Sequence, residues 1–116
     1  MTGGHPSLAK INMDIAAACS TVGIPMGVGS QRAMIEDPRV TFTFDVKKQY
    51  PNVILLGNIG ASHTVMYPLD KINDMVAKVD ADALCIHTNP GQEAAQVEGV
   101  YTTKTSKCIH AQSPPR

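Results

Sequence analysis

VILLG, residues 53–57, contains no polar side chain. A strand with one wet face alternates apolar and polar residues, whereas a short run that is apolar throughout and stopped by glycine belongs in a sheet covered on both faces, as parallel sheets are. Two other runs have the same character, IPMGVG at 24–29 and ALCI at 83–86. The three begin at 24, 53 and 83, spacings of 29 and 30 residues that suit a repeated strand-plus-helix unit with right-handed crossovers. The opening MTGG, 1–4, fits the end of one further strand in the same period.

Helical patterns fill the intervals. INMDIAAACSTVG, 11–23, places Ile11, Ile15, Ala18 and Val22 on one face, expected to pack inward, with Gly23 as a C-terminal stop. LDKINDMVAKV, 69–79, places Leu69, Ile72, Val76 and Val79 on one stripe and Asp70, Lys71, Asp74 and Lys78 opposite it. Between the first two strands, Pro38 must end a helix begun at Arg32, and we expect a helix broken near Asp37–Pro38 and resumed before Pro51. VTFTF, 40–44, alternates as a strand would. The fold class is therefore α/β with parallel βα repeats.

One polar residue stands just beyond each strand: Thr2, Ser30 after GVG, Asn58 after LLG and His87 after LCI. In parallel α/β proteins the carboxyl ends of the strands point one way and form the ligand face. Polar residues follow strands in any such protein, so the spacing alone leaves a chance register open. The side-chain types favour a site, since each can donate hydrogen bonds to a carbonyl-rich or phosphate-bearing ligand.

Composition narrows the ligand. The 116 residues carry ten basic and ten acidic side chains without long like-charged runs, which argues against nucleic acid and anionic membrane surfaces and for a small molecule. No apolar run reaches the ~18–20 residues that span a bilayer, and no secretory signal opens the chain, so a cytoplasmic address is expected. Cys19, Cys85 and Cys108 show no CxxC, and the first two read as core residues. His5, His63 and His110 lack companions at metal-ligand spacing and read as surface or loop residues. GVGSQR has neither the third glycine of a dinucleotide fingerprint nor a Walker Lys-Ser/Thr. YTTKTSKCIHAQSPPR, 101–116, has no clear period and reads as an irregular tail beyond a first unit of residues 1–100.

Four stretches in order, MTGG (1–4), MGVGSQR (26–32), NIGA (58–61) and IHTNPGQEAAQVEG (86–99), together resemble the type 2 isopentenyl-diphosphate delta-isomerases over roughly residues 1 to 100. The fourteen-residue stretch is the most specific of them. The resemblance implies strands one to four of a (β/α)8 TIM barrel, with FMN at its carboxyl face and Mg2+ and a small diphosphate substrate over the flavin. NADPH would serve as the flavin reductant, and the enzyme would be a homo-oligomer. By resemblance Met1, Thr2 and Gly3 contact the flavin, and Ser30 and Asn58 hydrogen-bond it. Ser30, Gln31 and Arg32 meet the diphosphate, Arg32 because a guanidinium can engage two phosphate oxygens. His87 faces substrate, Gln92 lies near the reacting carbons as a positioning or relay residue, and Glu93 holds Mg2+, a hard cation suited to a carboxylate.

Plainer readings stand beside these. Arg32 can be an exposed helix-start residue, His87 a satisfied structural histidine, Asn89 a shaper of the turn before Pro90-Gly91, and Glu93 a first-turn helix acid. A complete barrel takes about 250 residues, so this length is expected to be an amino-terminal-half fragment, inactive in isolation. The alternatives are another FMN-dependent barrel oxidoreductase and a non-catalytic half-barrel.

Overall fold

The computed structural model describes residues 2–88. In chain order these form α1 (Ala9–Val22), β1 (Met26–Gly27), α2 (Arg32–Glu36), β2 (Leu55–Gly60), α3 (Ala61–Met66), α4 (Leu69–Lys78) and β3 (Ala83–His87), with short 3-10 turns at Pro6–Leu8 and Pro38–Thr43. The three strands make one parallel sheet in the order β1-β2-β3, with Met26 opposite Leu55, and Leu56 to Gly60 opposite Ala83 to His87. The expected parallel α/β alternation is therefore present.

Strand boundaries differ from expectation. β1 is two residues long, and β2 runs on through Asn58, Ile59 and Gly60, so Asn58 lies within the strand and not beyond it. Pairing is what extends β2, because its last residues have β3 alongside. On one face of the sheet Met26, Val28, Leu55 and Ile59 are buried with Ala16 and Cys19 of α1, Met34 of α2 and Ile72, Met75 and Val79 of α4. This is the core.

α1 ends as the sequence predicts. Gly23 takes the left-handed conformation (φ 76°, ψ 34°), and the N–H groups of Gly23 and Ile24 both donate to the Cys19 carbonyl, at 2.8 and 3.1 Å. Its inward face is not the predicted one. Asn12, Ala16 and Cys19 are buried, while Ile11, Ile15, Ala18 and Val22 are exposed, Val22 at 69%. The helix is turned by one residue, about 100°. The cause is Asn12, whose amide donates to the carbonyls of Thr2 (3.1 Å) and Thr43 (2.7 Å) and whose Oδ1 accepts from the Thr2 hydroxyl (2.5 Å). A buried amide must be satisfied, and these partners lie on the core side. α4 departs less: Met75 joins Ile72 and Val79 inside, Leu69 is exposed, and the four charged residues face outward as expected.

Asp37 ends α2 in extended conformation ahead of Pro38, as predicted, and the helix that resumes before Pro51 is a short 3-10 helix, not an α-helix. Residues 38–43 form a 3-10 segment that Asp37 caps by accepting from Arg39 N–H (3.0 Å). The Thr43 hydroxyl closes it, donating to the Val40 carbonyl (2.7 Å) and accepting from Gly4 N–H (2.9 Å). Phe44 and Val46, both buried, then anchor a series of turns, so VTFTF forms the end of the 3-10 helix and not a strand. Gly3 is pressed against this anchor: a Cβ there would lie 2.1 Å from Phe44 Cε1.

The amino-terminal end of the sheet is closed by charge. Asp82 accepts from Leu55 N–H (2.7 Å) and, through both oxygens, from Lys47 Nζ (2.9 Å each), while Asp82 N–H donates to the Leu55 carbonyl (2.9 Å). Asp80 lies 3.6 Å from the same ammonium. The hydrogen bond from Lys47, followed by that from Leu55, holds the Asp82 carboxyl below its ordinary pKa. For Lys47, burial acts downward but is outweighed by the hydrogen bond and charge of Asp82 and by Asp80, and the net shift is upward.

Candidate functional site

The carboxyl ends of the strands gather the residues that the sequence period picked out. Gly29 N–H donates to the Thr2 carbonyl (2.8 Å), Val28 N–H to Leu56 O (3.1 Å) and Gln31 N–H to Asn58 O (2.7 Å), while Gly60 stands opposite His87. Thr2, Ser30 and Asn58 thus lie near one another toward the carboxyl end of the sheet, with His87 two residues farther along, level with Gly60. Gly29 permits the first contact, since a Cβ there would come within 3.0–3.2 Å of Thr2 backbone atoms.

Individual side chains have different parts. The Thr2 hydroxyl donates to Asn12, so its side chain turns to the buried amide cluster. Ser30 is exposed and His87 half-buried. Asn58 is 4% exposed. The expectations for Met1, Asn89, Gln92, Glu93, Cys108, His110 and the 101–116 tail fall outside the described residues.

Gln31 is fully buried. Its Oε1 accepts from Asn58 N–H (3.0 Å), its own N–H donates to Asn58 O, and its Nε2 donates to Met34 Sδ (3.3 Å). The side chain sits where any Cβ on Gly57 would come within 2.5 Å of Oε1. In this arrangement Gln31 continues the β1–β2 ladder past the end of β1, with its side chain buried against Met34.

Arg32, the first residue of α2, is 15% exposed at its side chain, with Nε 3.6 Å from Glu36 Oε1. The same carboxylate oxygen accepts from the Tyr67 hydroxyl (3.1 Å). Burial, then the hydrogen bond and charge of Glu36, raise the Tyr67 pKa, and Arg32 is near enough to oppose the rise. Tyr67 stacks on His63 with ring centroids 6.1 Å apart and planes 17° apart. His63 is buried on α3 with Nδ1 3.3 Å from Ser62 Oγ, which corrects its reading as a surface residue. Cys19 is buried as expected, but Cys85 is exposed. Its partner in register is Asn58, and residues facing each other across parallel strands share a face, here the one opposite the helices.

Among the described residues no group of three or more His, Cys, Asp or Glu could hold a metal, and no helix is long and apolar enough to cross a membrane. The sequence reading missed Asn12, Glu36 and Tyr67. Asn12 could have been found as the lone amide interrupting the small-residue face of α1. Tyr67 lies 31 residues from Glu36, and no local pattern signals that contact.

No protein-family model matches the chain. Curated relatives do. Isopentenyl-diphosphate delta-isomerase of Aeropyrum pernix is 46% identical over 101 residues, 85% of this chain and 27% of the relative. The proteins of the same name from Methanosarcina barkeri and Methanococcoides burtonii are 45% and 44% identical over 100 residues each, again 85% of this chain and 27% and 28% of theirs. Over that stretch the chain belongs to the isopentenyl-diphosphate delta-isomerase family. It spans about 27% of the length of the isomerases it matches.

Proposed function

We propose that the chain supplies part of the carboxyl-face site of a type 2, FMN- and Mg2+-dependent isopentenyl-diphosphate delta-isomerase. In that reading the described strands are the early strands of a (β/α)8 barrel that works in the cytosol as a homo-oligomer. The observation that carries it is the gathering of Thr2, Ser30, Asn58 and His87 toward the carboxyl end of the sheet, in a chain whose relatives bear the isomerase name.

The described residues suit a flavin. Asn58, a nearly buried carboxamide with both a donor and an acceptor, can serve the carbonyl and ring-nitrogen edge of an isoalloxazine. With its side chain committed to Asn12, Thr2 would offer only backbone. When bound, FMN reduced at the expense of NADPH would supply the acid and base chemistry of the allylic shift.

The protein's share is positioning. Ser30 and Arg32 flank the buried Gln31, so both leave the sheet at a fixed point, from which Arg32 would meet a diphosphate oxygen pair and Ser30 the flavin or diphosphate. His87 would face substrate from the end of β3. Gln92 would orient the reacting carbons, since an amide does not titrate near neutral pH, and Glu93 would hold Mg2+ against the diphosphate. The net change moves one proton onto a terminal carbon and removes another two carbons away, without redox change.

The test is an FMN titration of the purified chain, followed by flavin absorbance and fluorescence, with molar mass by light scattering. Saturable micromolar binding to a defined oligomer, weakened at least about tenfold by Asn58→Leu, is the expected result. A folded chain that leaves flavin spectra unchanged would overturn the proposal for this chain.

A further inference from the structure

The contact between Arg32 and Glu36 is by itself a weak one. Ion pairs four residues apart on a helix contribute about 0.3–0.5 kcal/mol, and the order here, arginine before glutamate, is the less favourable. At 3.6 Å, with Glu36 53% exposed, the pair alone would not hold a guanidinium in one orientation. Tyr67 changes the case. Its hydroxyl donates to the same Oε1 that faces Arg32 Nε, and its ring is in turn held against buried His63. The carboxylate is thereby also held by a residue of the next strand-helix unit, because Tyr67 follows α3 while Glu36 ends α2.

We propose that Glu36 and Tyr67 are positioning residues that hold the Arg32 guanidinium, plane and direction, for an anionic ligand at the carboxyl end of β1. The inference rests on the assignment of Arg32 to the diphosphate. It adds that the arginine is pre-set by a chain of contacts running His63, Tyr67, Glu36, Arg32. Engaging Nε from one side commits the plane of the fork and directs the terminal nitrogens, the pair that meets two oxygens of a phosphate at once. A preset fork loses less rotamer freedom on binding, which is where the affinity gain arises.

The experiment uses the full chain, inorganic pyrophosphate as probe, and the Nε–H resonances of its three arginines, Arg32, Arg39 and Arg116, assigned with Arg32→Lys. In the wild type, pyrophosphate is expected to shift the Arg32 Nε–H signal saturably. Glu36→Gln and Tyr67→Phe should weaken that binding about 3–10-fold and speed exchange of the Nε–H proton, with unchanged far-ultraviolet circular dichroism. Glu36 is exposed enough that its substitution leaves the fold intact should Tyr67→Phe disturb it. Wild-type or tighter binding by both variants, while Arg32→Lys binds poorly, would overturn the brace and leave the Arg32 assignment standing. If pyrophosphate fails to shift Arg32 in the wild type, or if Arg32→Lys binds equally well, the Arg32 assignment falls and the brace with it.

Discussion

Replacing Asp82 by alanine removes three hydrogen bonds from the amino-terminal end of the sheet at once. One comes from Leu55 N–H, on a fully buried residue, and two come from Lys47 Nζ, whose side chain is only 9% exposed. A buried N–H left without an acceptor costs about 1–3 kcal/mol. The lost ion pair adds less than its geometry suggests, because the Asp82 side chain is 43% exposed and therefore screened, and because Asp80 remains 3.6 Å from the ammonium. The expected loss for Asp82→Ala is about 2–3 kcal/mol, and for Asp82→Asn, which keeps an acceptor for Leu55, about 1 kcal/mol. Urea unfolding followed by circular dichroism at neutral pH measures both. The carboxyl also makes the effect pH-dependent. Its folded pKa lies below the unfolded one, so the folded chain binds fewer protons there, and the stabilisation is complete above the unfolded value near 4 and lost as pH falls through the folded value. The gap between wild type and Asp82→Asn should therefore close on acidification below about pH 4. An Asp82→Ala midpoint within about 0.5 kcal/mol of wild type would refute the reasoning.

Gln31→Leu should destabilise the chain by about 1–3 kcal/mol, since it leaves the buried Asn58 N–H without its acceptor, and native-state hydrogen exchange should show Asn58 as the amide most accelerated. The turned face of α1 can be checked with a pair of substitutions. Ile15→Gln should alter the urea midpoint by no more than about 0.5 kcal/mol, whereas Ala16→Leu, into a site with no exposure, should cost about 1–3 kcal/mol. The reverse ranking would restore the face read from the sequence.

Apolar runs ending in glycine reveal the strands, and their spacing reveals parallel order, because both follow from the repeat length of a βα unit. Helix faces were harder to read. Ile11, Ile15 and Val22 form a regular stripe, yet one amide with three partners outweighed it, and those partners lie at Thr2 and Thr43, far away in sequence. The period alone placed Ser30 beyond β1, but it set Asn58 and His87 beyond strands that in fact include them. What GSQR could not disclose is which of its polar residues turns inward. Gln31 does so because Gly57 leaves room for Oε1, a complementarity between residues 26 positions apart. The contact between Tyr67 and Glu36 spans a similar gap, and such pairings appear only once the chain has folded.

Because Gln31 sets the course of the chain beyond β1 from inside the core, the path of this loop does not depend on the side chains at its surface. Ser30 and Arg32, on either side, can be exchanged without moving the backbone that carries them. The turn is thus a fixed socket with replaceable contacts, where a side chain can be changed while the strand pairing beneath stays as it is.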